Sequence, residues 1–248
     1  MVSSGLHRLL LGDGGVIVAV HRVTDLLPED GLTVSSHKFD RFCRFFRDNF
    51  NVVALDDFVT RLESGRSLKG SLAITLDDGY LDNFEVAAPL LRKYSLPATF
   101  FVVTGFLGST IVPEWDVALP RQPGWMTWDH VGQLSREGFD IGAHTRTHVD
   151  LGKVNGATAV EEIVGARTDL LDALGRVSQH FAYPYGQRSH LLDGNRRLVQ
   201  DAGFRSCMSC HGGLARAGTD PFRLQRVPIG TWFRNPGQWA FEVLARRT

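Results

Sequence analysis

The chain has 248 residues with 27 basic and 27 acidic side chains, so its formal net charge at neutral pH is zero, and 43% of it is hydrophobic. This describes an ordinary globular protein with ample core material, and it offers neither the basic face of a nucleic-acid binder nor a polybasic membrane surface. No apolar run approaches the roughly 20 residues of a membrane span, and the opening MVSSGLHRLLLGDGG holds only three consecutive leucines, short of the roughly 7–15 apolar residues of a signal peptide; as it stands the chain reads as cytoplasmic, unless a leader has been removed from it.

Short apolar runs alternate with amphipathic stretches along nearly the whole sequence. VIVAV (16–20) reads as a buried strand and precedes a helix over 36–49. NVVAL (51–55) reads as a second strand, followed by a helix over about 56–64 that Gly65 can close. LAITL (72–76) leads to a helix over roughly 82–94, and ATFFVV (98–103) leads into a long loop, 104–126. Thr127 can cap a helix across WDHVGQLSREG, after which FDIGA (139–143) reads as a strand and 157–174 as a long helix ending at Gly175. HFAYP (180–184), a helix at about 190–202 and RLQRVPI (223–229) complete the series. Such βα repetition with no linker implies one α/β domain on a parallel sheet, open or closed into a barrel.

Polar residues gather where that architecture needs them. VIVAV runs into His21, LAITL into Asp77 and Asp78, FDIGA into His144, and HFAYP into Tyr185 and Gly186. Chemistry on parallel sheets collects at the C-terminal ends of the strands. Two adjacent carboxylates at the end of an apolar strand need a cation or hydrogen-bond donors, although a polar turn capped by Asp78 or Asp82 would account for them as well. HTRTH (144–148) supplies what a cation would require. In a continuous strand His144 and His148 would lie about 13 Å apart, so sharing an ion demands a turn after FDIGA. One carboxylate and two imidazoles form an open ligand set suited to a catalytic divalent ion, zinc or its neighbours cobalt, nickel and manganese. The second carboxylate is then free to take a proton from an attacking water.

Together these stretches resemble the polysaccharide deacetylases, carbohydrate esterase family four. TLDDG (75–79) is similar to their T-F-D-D-G, HTRTH to their H-[ST]-x-x-H, and YPYG (183–186) to their P-P-Y-G, and the resemblance runs from about residue 14 to 230. It implies a distorted (β/α) barrel with parallel strands, a single catalytic domain over 14–248 after an N-terminal extension at 1–13, and hydrolysis of an N- or O-acetyl group from a sugar in glycan or exopolysaccharide biosynthesis. By the resemblance Asp77 is the base, Asp78, His144 and His148 bind the metal, and the Tyr185 backbone N–H helps to hold the oxyanion. Ala182 stands where many members carry an arginine that pairs with the base, and Arg226 is the candidate substitute. The usual late acid histidine is not recognisable. VAVHRV instead resembles the YHRV opening of the biofilm and exopolysaccharide branch, which makes His21 the acid candidate and His211 its alternative.

Trp115 and Trp125 in the long loop could stack on sugar faces or simply pack the loop, and Tyr183 is a third substrate-facing candidate. Expected partners are an N-acetylated glycan or an activated or lipid-linked sugar, with no nucleic acid and no integral membrane segment. Three cysteines give no even disulfide framework, and CMSCH (207–211) matches a c-type haem attachment pattern. Covalent haem requires export, which this N-terminus does not support, so no haem is expected. Two rivals remain: a deformylase or amidase acting on another small or lipid-linked amide, and a carbohydrate-binding relic without activity.

Overall fold

The computed structural model describes residues 12–176 and 178–245; the N-terminal extension expected at 1–13 lies almost wholly outside them. The main strands are β1 (Val16–Val20), β5 (Ser71–Leu76), β6 (Thr99–Val102), β7 (Asp140–Ala143), β8 (His180–Ala182), β9 (Ser206–Met208) and β10 (Val227–Pro228). They lie in the order β10-β1-β5-β6-β7-β8-β9, and every pairing between them is parallel. A short β4 (Asn51–Val52) pairs with the start of β5, and two-residue strands β2 (Arg22–Val23) and β3 (Thr33–Val34) pair with each other. Residues just ahead of β10 meet the far end of the sheet, where Leu224 bridges to Met208 of β9. Segment 224–228 therefore closes the sheet into the distorted barrel.

The helices are α1 (Ser36–Asn49), α2 (Leu55–Glu63), α3 (Ala88–Lys93), α4 (Trp128–Arg136), α5 (Gly156–Leu174), α6 (Asp193–Asp201) and α7 (Pro236–Ala245). All but α2 cover the outer face, and α2 packs Leu55, Phe58, Val59 and Leu62 with the interior side chains of the sheet. Several ends follow the expected local chemistry. Thr127 caps α4 in a reciprocal capping box with His130, and Gly175 ends α5 at φ 66°, a left-handed conformation that costs glycine nothing. Elsewhere the structure departs from the sequence reading. NVVAL is not a five-residue strand, because Leu55 already begins α2, whose first turn carries Asp56 and Asp57. The helix expected over 82–94 opens into a π turn at Asn83–Ala87 before α3. Pro89 has no N–H to continue an α ladder, and an i→i−5 bond from Ala88 N–H to Asn83 O takes up the extra residue. Of RLQRVPI only Val227–Pro228 pairs as strand. Helix α7 went unread in the sequence; its Trp239 packs edge-on against Phe42 and Phe46 of α1.

The strand period of two sorts side chains between two cores. Val16, Val18 and Val20, like Leu72, Ile74 and Leu76, face the helices. Ile17, Ala73, Phe101, Ala182 and Met208 fill the barrel interior. A Cβ at Gly142 would overlap the Phe101 ring, so only glycine fits there. Continuing the same alternation one step past the strand ends turns His21, Asp77 and His144 inward, toward the barrel mouth.

Candidate metal centre and active site

Three turns converge on the floor of a cleft of about 370 Å³ at that mouth. Asp78 Oδ1 lies 3.3 Å from His144 Nε2 and 3.4 Å from His148 Nε2. All three side chains are buried, and their ligand atoms lie within 4.8 Å of one another. Donors about 2.1 Å from a tetrahedral ion stand roughly 3.4 Å apart, which is the spacing of Asp78 Oδ1 from each imidazole.

His144 and the turn that carries His148 are fixed from behind. His144 Nδ1 lies 2.7 Å from the Ala182 carbonyl; as an Nδ1–H donor it leaves Nε2 bare toward Asp78. The turn after β7 is pinned to α5 by Glu162, which accepts from the Arg146 and Thr147 N–H groups and from the Thr147 hydroxyl. Arg146 also pairs with Asp169 of α5. That clamp brings two histidines four apart onto one centre, as a straight strand could not. Asp78, Thr145, His148 and Tyr185 all hold left-handed backbone, at φ 74°, 65°, 59° and 61°. Such strain costs of order 1–3 kcal/mol per residue and collects at functional sites.

The electrostatics favour a cation. Burial opposes the charge on Asp78, yet the His144 and His148 imidazoles facing it hold its carboxyl well below the usual carboxylate range. Burial pushes His148 down, toward the neutral imidazole that ligates metals. Asp78 Oδ1 is nonetheless a buried acceptor without a well-aligned donor. An orphaned carboxylate oxygen facing two imidazole nitrogens fits a divalent transition ion, and the nitrogen-rich donor set suits zinc and its first-row neighbours. His144→Ala should therefore lower metal content and activity together, as metal analysis of the purified variant would read; full occupancy would remove His144 from the ligand set.

Asp77 faces the other way, toward the barrel axis. Arg226, fully buried, grips it through both guanidinium nitrogens at 2.7 and 2.6 Å, and reaches Thr75 Oγ1 at 3.0 Å and the Ser209 carbonyl at 3.1 Å. Burial works against ionised Asp77, but Arg226 and then His144 outweigh it and leave its carboxyl below the usual range. His21 Nε2 stands 3.9 Å from Asp77 Oδ2, and its buried Nδ1 has no partner.

The remaining candidates separate. Trp115 lines the cleft, its ring 4.5 Å from His148, and Tyr185 lies 4.9 Å from the same ring. No backbone acceptor among the described residues takes the Tyr185 N–H. Trp125 does not reach the cleft: it stacks on Tyr80 at 4.6 Å and donates Nε1–H to the Ile111 carbonyl. Tyr183 borders the cleft but is almost wholly buried, with its hydroxyl 3.9 Å from Cys207 Sγ. His211 lines neighbouring cavities rather than the cleft, and burial pushes it down. The two cysteines of CMSCH also diverge. Cys207 lies in the core with Sγ 3.1 Å from the Phe222 carbonyl, while Cys210 borders the cleft, its thiol pushed up by burial to about 11. Sequence reading missed Trp232, which lines the wall formed with Pro228 and Leu32. Its position just beyond the RLQRVPI strand, on the same rim as the other strand-end residues, was the available signal.

Comparison with known proteins places these features in a family. Residues 64–207 match the polysaccharide deacetylase family model. The poly-β-1,6-N-acetyl-D-glucosamine N-deacetylase of Staphylococcus aureus is 22% identical over 217 residues, covering 87% of this chain and 71% of that protein. Among solved structures, the deacetylase PplD of Streptococcus pyogenes, in complex with acetate, superposes with a TM-score of 0.79 at 21% identity, covering 93% of this chain and 98% of that one. IcaB from Ammonifex degensii gives 0.75 at 23%, covering 94% and 97%.

Proposed function

We propose, from the premise that this chain belongs to the polysaccharide deacetylase family, that it hydrolyses the N-acetyl group of an amino sugar in an exopolysaccharide. The observation that carries the reading is the pairing, on one barrel rim, of the Asp78–His144–His148 cluster with an Arg226-clamped carboxylate. The Staphylococcus aureus relative, a poly-β-1,6-N-acetyl-D-glucosamine N-deacetylase, makes a polymer of N-acetylglucosamine the first substrate to test.

Asp78, His144 and His148 would hold the ion, zinc in the first instance. When bound there, the ion supplies Lewis acidity toward an acetyl carbonyl and an attacking water. The chain's own residues do the rest. Asp77 takes the water's proton, and Arg226 keeps that carboxylate ionised and aimed. His21, beside Asp77 in the cleft lining, gives a proton to the leaving nitrogen. The Tyr185 N–H, which no backbone acceptor among the described residues takes, would donate to the oxyanion of the tetrahedral intermediate. Trp115, Tyr185 and Trp232 wall the cleft with rings that suit the apolar faces of a pyranose. No helix among the described residues is long and apolar enough to cross a membrane.

Mass spectrometry of zinc-loaded protein with β-1,6-linked N-acetylglucosamine oligomers, and with nucleotide- or lipid-linked N-acetyl sugars, tests the reading. Loss of one acetyl mass with release of acetate is expected. Turnover of an N-formyl sugar in preference to every N-acetyl substrate would replace the acetyl group by formyl.

A further inference from the structure

The loop from Phe106 to Met126 places Trp115 against His148 with little regular structure of its own, beyond a single 3₁₀ turn at Glu114–Asp116. Side chains hold it in place. Asp116 is fully buried; its Oδ1 pairs with Arg22, and its Oδ2 accepts from the Tyr80 hydroxyl at 2.8 Å. The same hydroxyl accepts from Trp115 Nε1 at 2.9 Å. Arg22, 1% exposed, is anchored in turn by Thr33 Oγ1 at 2.8 Å and Asp30 Oδ2 at 3.0 Å. One hydrogen-bonded relay thus runs from the β2–β3 ribbon through Asp116 and Tyr80 to the indole of Trp115. Each member sits one or two residues from a residue of the site: Arg22 follows His21, Tyr80 follows Asp78 by two, and Asp116 follows Trp115.

We propose that Asp116 is a positioning residue, which through Tyr80 holds Trp115 as a fixed wall against His148 and thereby sets both the retention of the metal and the fit of the sugar. His148 needs such support. Its Nδ1 is buried without a partner, whereas His144 has the Ala182 carbonyl behind it. With no hydrogen bond at Nδ1 to hold the His148 ring, packing against Trp115 and Tyr185 sets its plane. A buried charge pair is a costly way to fasten a loop, since apolar residues of similar volume serve stability as well or better. Its directional hydrogen bonds give an orientation that apolar packing would not.

Three variants test this: Trp115→Ala, Tyr80→Phe, and the double substitution Arg22→Met with Asp116→Leu, which removes both buried charges together. Each is measured for thermal midpoint, for zinc affinity by competition with a chelating dye, and for kcat and KM on an N-acetylated oligosaccharide. Outer partners of ligating histidines typically matter 10–100-fold in metal affinity, so Trp115→Ala and Tyr80→Phe are expected to weaken zinc by about tenfold or more and to raise KM. The double variant is expected to keep a midpoint near wild type while retaining both defects, because nothing then orients the Tyr80 hydroxyl. If zinc affinity and KM in the double variant match wild type, the relay serves stability alone and the proposal falls. It falls too if Trp115→Ala binds zinc as tightly as wild type. The kinetic readout rests on the deacetylase reading, but the zinc readout needs no substrate. Failure of every acetylated sugar to react, alongside weakened zinc in the variants, would therefore overturn that reading and leave this one standing.

Discussion

Asp77→Asn should lower kcat by on the order of 10²–10⁴ while the ion stays bound, because the substitution removes a proton acceptor and leaves Asp78, His144 and His148 intact. It should also destabilise the fold. Arg226 has no solvent exposure, and Asp77 is the carboxylate gripped by its guanidinium. Removing one partner of a buried pair typically costs about 3–5 kcal/mol. Metal analysis, steady-state kinetics and chemical denaturation on one preparation separate these effects. Adding Arg226→Met should return much of the stability and none of the rate. Parallel loss of metal and rate in Asp77→Asn would mean that the two aspartates have exchanged roles. The pH dependence follows from the depressed Asp77 carboxyl. A lowered folded pKa contributes stability above the unfolded value of about 3.9, and that contribution is lost only as the pH falls through the lower folded value. Both the acid limb of kcat/KM and the acid loss of stability should therefore lie below the range of a free carboxylate.

His21→Ala should reduce turnover of an amide by about 10²-fold or more. An amide nitrogen leaves only with a proton, and of the two histidines that border the cleft besides the ligands, His21 and His190, His21 is the one 3.9 Å from Asp77. An activated aryl ester, whose leaving group needs little protonation, should suffer far less in the same variant. Comparing both substrates distinguishes a missing acid from a damaged site, which would slow the two equally. Near wild-type amide hydrolysis in His21→Ala, with collapse in His211→Ala, would pass the role to His211 despite its place outside the cleft.

How much could be read beforehand depended on the range of the interaction. Strands β1, β5, β6 and β7 were legible because buried parallel strands read as unbroken apolar runs, and their period of two carried His21, Asp77 and His144 to one rim. Thr127 and Gly175 were legible because caps are local. The β2–β3 ribbon was not, since two-residue strands leave no periodicity to detect. Nothing local separates Trp115 from Trp125; which one faces the cleft is decided by Asp116 reaching Arg22, 94 residues away. Arg226 could be named as a candidate from its place in LQRVPIG, but its burial comes from closure of the barrel, a long-range event. Trp232 and α7 lay just past the last strand considered, where the βα pattern had already run out.

Closure of the barrel by 224–228 also has a consequence for how the protein is made. Asp77 leaves the ribosome 149 residues ahead of the arginine that balances it, and at about 5–20 residues per second the wait lasts roughly 7–30 s. During that interval β1 is an open edge, as β9 is once it has been made, and the inward carboxylate has no counter-charge. The nascent sheet can thus assemble its outer core against α1 and α3–α5, but it cannot dry its interior until the last strand arrives. Stalled ribosome-bound chains ending near residue 215 should remain protease-sensitive across β1 and β5, and those extended past α7 should be protected.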